Sequence, residues 1–174
     1  MKNKIITLNK LSKIKLKKPI GVCWGGFDLL HSGHINHFLF AKKYCSTLIV
    51  GINNDNEFPN KGKNRPILNQ ANRAKFLSSI SVVDYVLIYT GKYPKKSQSM
   101  GIIHGKKVHT PFIPIELFKK ILPDFYFKGY EYKGKKIPEV AILKNYNTKI
   151  KFGPKDYIFS STAIIGNKKN ENKK

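Results

Sequence analysis

Arginine is nearly missing from this chain. Of its 33 basic residues only Arg65 and Arg73 are arginine, and the rest are lysine. With ten acidic residues, the formal net charge is +23 at pH 7. Such a charge suits nucleic acid or an anionic membrane. Readers of nucleic acid, however, rely on arginine for bidentate contacts to bases and phosphates. Lysine spread through every segment, together with abundant Asn and Ile, reads as a coding bias rather than a binding stripe, so no nucleic-acid partner is expected. The positive field still attracts polyphosphates. Cysteine is equally scarce. Cys23 and Cys45 have no metal-type spacing and are expected as reduced core residues of a cytosolic protein. No apolar run reaches the roughly 20 residues of a bilayer span. The opening "MKNKIITLNKLSKIKLKK" lacks an apolar h-region, a small-residue cleavage site and arginine. Neither a secretory signal nor a mitochondrial presequence is expected, and the location expected is cytoplasmic, without a membrane partner.

The 174 residues suffice for one domain with a real core. Apolar spacing in "IITLNKLSKIKLK" (5–17) predicts a short amphipathic helix ended by Pro19, so residues 1–18 read as a helical extension. Short buried strands are predicted at "IGVCW", "TLIVGI" (47–52), "YVLIY" (85–89), "DFYFKG" (124–129) and "TKIKF" (148–152). Helices are predicted at "GHINHFLFAKKYC", "NQANRAKFLSSI" (69–80), "PIELFKKI" (114–121), "IPEVAILKNY" (137–146) and from "SSTAIIG" (160–166), which opens behind a Ser/Thr cap. Residues 90–110 read as a long loop or insertion, and 167–174 as a disordered basic tail. Strands apolar on both faces, alternating with helices, imply an α/β fold. One Rossmann-like domain (19–166) is expected, with a five-stranded parallel sheet and helices on both faces. In such sheets ligands bind beyond the carboxyl ends of the strands.

At that place, after the first strand, stands "GGFDLLHSGHINH" (25–37), with three of the five histidines and, just before it, the only tryptophan, Trp24. A turn at Gly25 and Gly26 leads to Asp28, and His31-Ser-Gly-His34 enters a helix. Gly33 has no Cβ, so the backbone can approach a ligand. The unpaired N–H groups and the dipole of a helix start favour an anion. Two imidazoles three residues apart can face one pocket and donate hydrogen bonds to phosphate oxygens as charge moves during substitution at phosphorus. Two other readings stay open on spacing alone: zinc held by His31, His34 and His37, although no Cys or carboxylate lies at a suitable distance along the chain, and a structural histidine pair.

The segment Gly25, Phe27, Asp28, His31, Gly33, His34 resembles the G-x-F-D-x-x-H-x-G-H signature of the cytidylyltransferase-like nucleotidyltransferases, with every defining position present. The likeness extends over about residues 4–166. "KIITLNKL", the two arginines at 65 and 73, "VVDYV" at 82–86, "LPDFYFKGYEY" at 122–132 and "FSSTAII" at 159–165 look like the adenylyltransferase domain of ADP-heptose synthase. Glycerol-3-phosphate cytidylyltransferase and its relatives are the next most similar branch.

The resemblance implies a reaction in which a phosphate oxygen of an acceptor attacks the α-phosphate of a nucleoside triphosphate and pyrophosphate leaves, with magnesium carried by the nucleotide rather than by a protein site. It implies His31 and His34 as catalytic phosphate-binding residues, joined by Lys61 of "NKGKNRP", with Lys63 the alternative. It implies nucleotide contacts from Gly25, Gly26, Phe27, Gly33, Arg73, Lys128, Ser160, Ser161 and Thr162, and substrate contacts from Asp28, Asn53 and Asp55. Arg73 reads equally as a tie between its helix and the site, Arg65 as a partner for a loop carboxylate, and Asp28 as a turn former. The sequence departs from the branch where Lys-Gly-Gly-Asp-Tyr becomes Lys-Gly-Tyr130-Glu131-Tyr, and where Gln70 and Asn72 stand in place of an acidic residue. His104 and His109 are expected at the surface. The likeness covers the adenylyltransferase part alone, so a separate kinase is expected, and a homodimer is implied.

Two other functions fit the same sequence. One keeps the fold and makes the chain a cytidylyltransferase of glycerol 3-phosphate or another phosphorylated alcohol. The other is a basic nucleic-acid-binding module, which would tolerate loss of His31 and His34.

Overall fold

The computed structural model describes residues 3–57, 64–89, 99–103, 106–110, 115–135, 137 and 143–155. Its centre is a pair of parallel strands, β2 (Ile20–Gly25) and β3 (Thr47–Ile52), paired in register from Ile20 opposite Thr47 to Gly25 opposite Ile52. Both are nearly continuous runs of apolar side chains, and every residue of β3 is buried. Such runs require cover on both faces, which helices supply. Odd and even residues therefore feed two cores. On one face Ile20, Val22, Trp24, Ile49 and Leu87 pack with Tyr126, Phe118 and Ile121. On the other, Cys23, Leu48, Val50 and Phe127 meet Phe38 and Ala41 of one helix and Ala74 and Leu77 of another.

The sheet has six strands rather than the five expected, in the order β1 (Ile5–Ile6), β4 (Tyr85–Ile88), β3, β2, β7 (Phe125–Lys128) and β8 (Lys149–Phe152). The extra strand is β1 (Ile5–Ile6), which pairs in parallel with β4 (Tyr85–Ile88). Here the helix expected over 5–17 gives way. The two β-branched isoleucines extend the sheet at the open edge of β4. Only Leu8–Leu11 (α1) is helical, with Thr7 as its N-cap and Leu11 buried in the core. Residues 5–11 are thus part of the domain and not an appendage to it.

Helix α2 (Ser32–Lys42) follows β2, and α3 (Gln70–Ser78) precedes β4 behind an Asn69 cap whose side chain accepts from Asn72 N–H at 2.9 Å. The expected insertion contains structure of its own. Strands β5 (Ser99–Ile103) and β6 (Lys106–Thr110) form an antiparallel pair with Ser99 opposite Thr110 and Ile103 opposite Lys106. His109 lies on β6, and His104 lies outside the described residues. Helix α4 (Ile115–Ile121) leads into β7 (Phe125–Lys128), which pairs with both β2 and β8 (Lys149–Phe152). The helix expected over 137–146 lies mostly outside the described residues, although Ile137 and Leu143 are buried. The helix opening at Ser160 and the tail at 167–174 lie wholly outside them. Among the described residues no helix is long and apolar enough to cross a membrane.

Candidate active site

The carboxyl ends of β2, β3 and β7 converge with the start of α2. Immediately after β2 the chain turns at Phe27, which adopts a positive φ of 48°. That conformation is strained for a bulky residue. Packing holds it: the Phe27 ring is buried, edge-on to His34 at 5.1 Å and tilted against Phe38 at 5.3 Å. Gly25 leaves room for this ring, since a Cβ there would meet it at 3.0 Å.

Asp28 is buried in the same turn. Its carboxylate forms an ion pair with Arg65 Nε and accepts from Leu68 N–H at 2.9 Å. The β2–α2 turn is thereby fastened to the segment ahead of α3. Arg73, on α3, is completely buried and makes a second fastening. Its guanidinium donates to the carbonyls of Leu68 (3.0 Å), Gly26 (2.5 Å) and Asn53 (2.8 Å) and to Asp55 Oδ1 (2.6 Å). Asp55 Oδ2 also accepts from Gln70 N–H at the start of α3. Asn53 is held from three directions: Oδ1 accepts from Trp24 Nε1 at 2.6 Å, N–H donates to Gly25 C=O at 3.0 Å, and its carbonyl binds Arg73.

On this braced turn stand the histidines. His31 is the N-cap of α2, in extended conformation and without a side-chain capping bond. Gly33, one residue into the helix, is buried. The His31 and His34 rings stack with centroids 3.7 Å apart and planes 23° from parallel. His31 Nδ1 is buried with no hydrogen-bond partner among the described residues. A buried polar atom left unmatched is costly, so it marks a place where a ligand atom belongs. Burial also lowers the His31 pKa, with partial compensation from the Glu131 carboxylate. His37, one turn further along α2, has a different role. It is pulled down to about 4 by burial, against the effect of a hydrogen bond with the Phe127 backbone, and Lys128 adds to the depression. It packs against Gly153, where a Cβ would lie 2.9 Å from its Nδ1. His37 therefore secures α2 to the ends of β7 and β8.

Residues 22–167 match the profile of the cytidylyltransferase-like family. The chain belongs to that family. Membership makes it a nucleotidyltransferase by class, and the stacked histidines of the family motif occupy the expected place after the first central strand. Among curated relatives, the bifunctional protein HldE of Campylobacter fetus is 34% identical over 136 residues, covering 77% of this chain and 25% of that protein. HldE of Helicobacter pylori J99 is 33% identical over 165 residues, covering 93% and 30%. The chain thus spans about a quarter to a third of the relatives it matches. Two solved structures share the fold: a lipopolysaccharide core biosynthesis protein from Thermoplasma volcanium (TM-score 0.54, 22% identity, 76% of this chain and 92% of that one) and a pantoate-beta-alanine ligase from Francisella tularensis (TM-score 0.51, 20% identity, 96% and 77%).

Within this cytidylyltransferase-like domain several expected roles are redistributed. Asp28, Asn53 and Asp55, expected to face substrate, are engaged by Arg65, Trp24 and Arg73, because each lies where a turn must be tied to its neighbour. Arg73, expected at the nucleotide or as a tie, has no guanidinium surface left for a phosphate, and the geometry assigns it the tie. Gly26 contributes its carbonyl to Arg73, and Phe27 supports His34. Arg65 does bind a loop carboxylate, that of Asp28. Lys128 is buried at the end of β7, its ammonium 4.7 Å from the Tyr132 ring centroid and 5.3 Å from that of Tyr126. Lys61, Ser160, Ser161 and Thr162 lie outside the described residues. No group of three or more His, Cys, Asp or Glu with metal-binding geometry is present among the described residues. Two relationships had no clear sequence signal: the Trp24–Asn53 bond and the packing of His37 against Gly153.

Proposed function

We propose that this domain joins the nucleotidyl group of a nucleoside triphosphate, ATP in the first instance, to a sugar phosphate such as heptose 1-phosphate. The observation that carries the reading is the stacked His31–His34 pair at the start of α2, with the unmatched Nδ1 of His31. The triphosphate enters as its magnesium complex, the metal offsetting phosphate charge. Asp28 and Asp55 are already committed to arginines, which fits a metal carried by the phosphates rather than a resident ion.

An oxygen of the acceptor phosphate attacks the α-phosphorus in line. The bond from the α-phosphorus to its bridging oxygen breaks, and pyrophosphate leaves with the electron pair. The imidazoles donate hydrogen bonds to the phosphate oxygens as negative charge shifts toward them. The N–H groups of the first turn of α2 add their partial positive charge. A proton bound by either imidazole when the phosphate arrives strengthens these bonds. Lys61, Ser160, Ser161 and Thr162 are proposed to hold the outer phosphates.

The heptose acceptor and ATP are favoured by the HldE relatives. A cytidylyl transfer to glycerol 3-phosphate or another phosphorylated alcohol is the second reading, and the cytidylyltransferase-like family accommodates the CTP it requires. Pyrophosphate release measured for ATP, CTP, GTP and UTP against heptose 1-phosphate, glycerol 3-phosphate, phosphocholine, phosphoethanolamine and flavin mononucleotide separates them. Release with ATP and heptose 1-phosphate alone supports the first reading. Release with CTP and glycerol 3-phosphate replaces it with the second. No release with any pair contradicts both.

A further inference from the structure

After β2 the chain steps outward to β3, and it returns on the other side of β2 as β7. The crevice above two such strand ends is where an open parallel sheet receives its ligand. Strand β2 leads into the loop of His31, and β7 ends at Lys128. The Lys128 carbonyl accepts from Gly153 N–H at 2.9 Å, and Gly153 packs against His37, one turn along α2 from His34. The end of β7 is thus tied to the helix that carries the histidines.

The Lys128 side chain is buried. It lies over Tyr126, two residues earlier on the same face of the strand, with Nζ 5.3 Å from the ring centroid. A second ring closes on it from beyond the strand. Gly129 leads into one 3-10 turn, Tyr130–Tyr132, in which Tyr132 N–H donates to the Gly129 carbonyl at 3.1 Å. The turn folds the chain back and stands the Tyr132 ring 4.7 Å from the ammonium. At such distances a ring face attracts a cation. The two rings have different duties. Tyr126 is fully buried and packs edge-on to Phe118 at 5.8 Å within the core. Tyr132 is half-buried and belongs to neither core.

We propose that Tyr132 is a positioning residue for Lys128: its ring, brought back by the turn after β7, clamps the ammonium against Tyr126 at the carboxyl end of the sheet, where it meets a phosphate of the nucleotide. This rests on the nucleotidyl-transfer reading of the site. A free lysine stem has many rotamers to lose when its ammonium binds an anion. Fixing the stem beforehand removes that cost, and the saving appears as affinity. The rings attract the cation without supplying a negative charge, so its charge still acts on phosphate.

Two measurements on the full chain test this. The first is NMR of the Lys128 side-chain methylenes without ligand, assigned through Lys128→Met. Ring-current displacement of these signals is expected in the wild type and in Tyr132→Phe, and a reduced displacement in Tyr132→Leu. The second is calorimetric binding of a magnesium-loaded, non-hydrolysable ATP analogue and of inorganic tripolyphosphate. Tyr132→Leu is expected to weaken binding of both by about 3–30-fold, the range of one cation–π contact. Tyr132→Phe keeps the ring face and is expected to restore the affinity. Where pyrophosphate release is measured, KM for the nucleotide rises in Tyr132→Leu while kcat changes far less. In Lys128→Met the further change Tyr132→Leu is expected to cost nothing more, a coupling that a merely structural tyrosine does not produce. Unchanged binding in Tyr132→Leu overturns the proposal, as do losses that add independently in the double variant. A Tyr132→Phe variant as weak as Tyr132→Leu assigns the effect to the hydroxyl and overturns the ring clamp. A wild type that binds neither probe contradicts the functional reading and the phosphate-directed role with it, while the methylene signals still decide whether the clamp exists.

Discussion

The rings of His31 and His34 lie face to face at 3.7 Å, three residues apart along the chain, with His31 outside α2 and His34 inside it. The cap conformation of His31 brings the two rings level, and the Phe27 ring supports His34 from the side.

Substitution of His34 by alanine is expected to remove an interaction that strengthens as charge develops on phosphate. The predicted loss in kcat is about 10²–10³-fold, with a much smaller change in nucleotide affinity. Steady-state kinetics together with calorimetric binding of a non-hydrolysable triphosphate separates the two quantities.

Arg73 anchors three loops and faces no solvent. Arg73→Met leaves Asp55 and three carbonyls without their donor, and the predicted loss of stability is about 3–5 kcal/mol. Chemical denaturation reads it directly. Arg73→Lys is expected to recover little, since an ammonium cannot reach four acceptors spread around a planar fork.

His37 makes stability depend on pH with a definite sign. Its pKa is about 4 in the folded chain, against an ordinary value of 6.5. The unfolded chain therefore binds a proton at this site between those values while the folded chain does not. Stability contributed by His37 is full above about pH 6.5 and declines as pH falls toward 4, by up to about 3 kcal/mol. Urea unfolding at pH 4.5, 5.5 and 7 should show a flatter pH dependence for His37→Gln than for the wild type. Parallel curves for the two proteins would contradict this assignment.

Gly51 on β3 lies beneath the indole of Trp24, and a Cβ there would overlap the ring. Gly51→Ala is expected to destabilise by about 1–3 kcal/mol through overpacking and to disturb the Trp24–Asn53 bond. The single tryptophan reports both effects, as a lowered unfolding midpoint and a shifted emission maximum.

The parts of the fold legible in the sequence are those whose chemistry permits one answer. "TLIVGI" is too apolar for anything but a strand buried on both faces, and the structure places β3 over those six residues. The His-x-Gly-His spacing likewise pointed to a pair at a helix start, and the stacked rings stand there. Strand β1 was hidden because two isoleucines inside a helical spacing carry no period, and only the exposed edge of β4 decides their state. Strands β5 and β6 were hidden by their lysines and glycine. The resemblance points Asp28, Asn53 and Asp55 toward substrate, and nothing in their chemistry opposes it, because carboxylates and amides serve ligands and turns equally well. Their partners, Arg65, Trp24 and Arg73, lie 18 to 37 residues away and appear only once the chain is folded.

The most direct measurement is pyrophosphate release from magnesium ATP and heptose 1-phosphate, run on the wild-type chain beside a variant carrying both His31→Ala and His34→Ala. Stoichiometric release with formation of the nucleotide sugar is expected from the wild type, and loss of that activity is expected in the variant while its unfolding remains cooperative. Release that is unaffected by removing both imidazoles would contradict the assignment of this site, and a folded wild type inactive with ATP and every acceptor would contradict the proposed reaction.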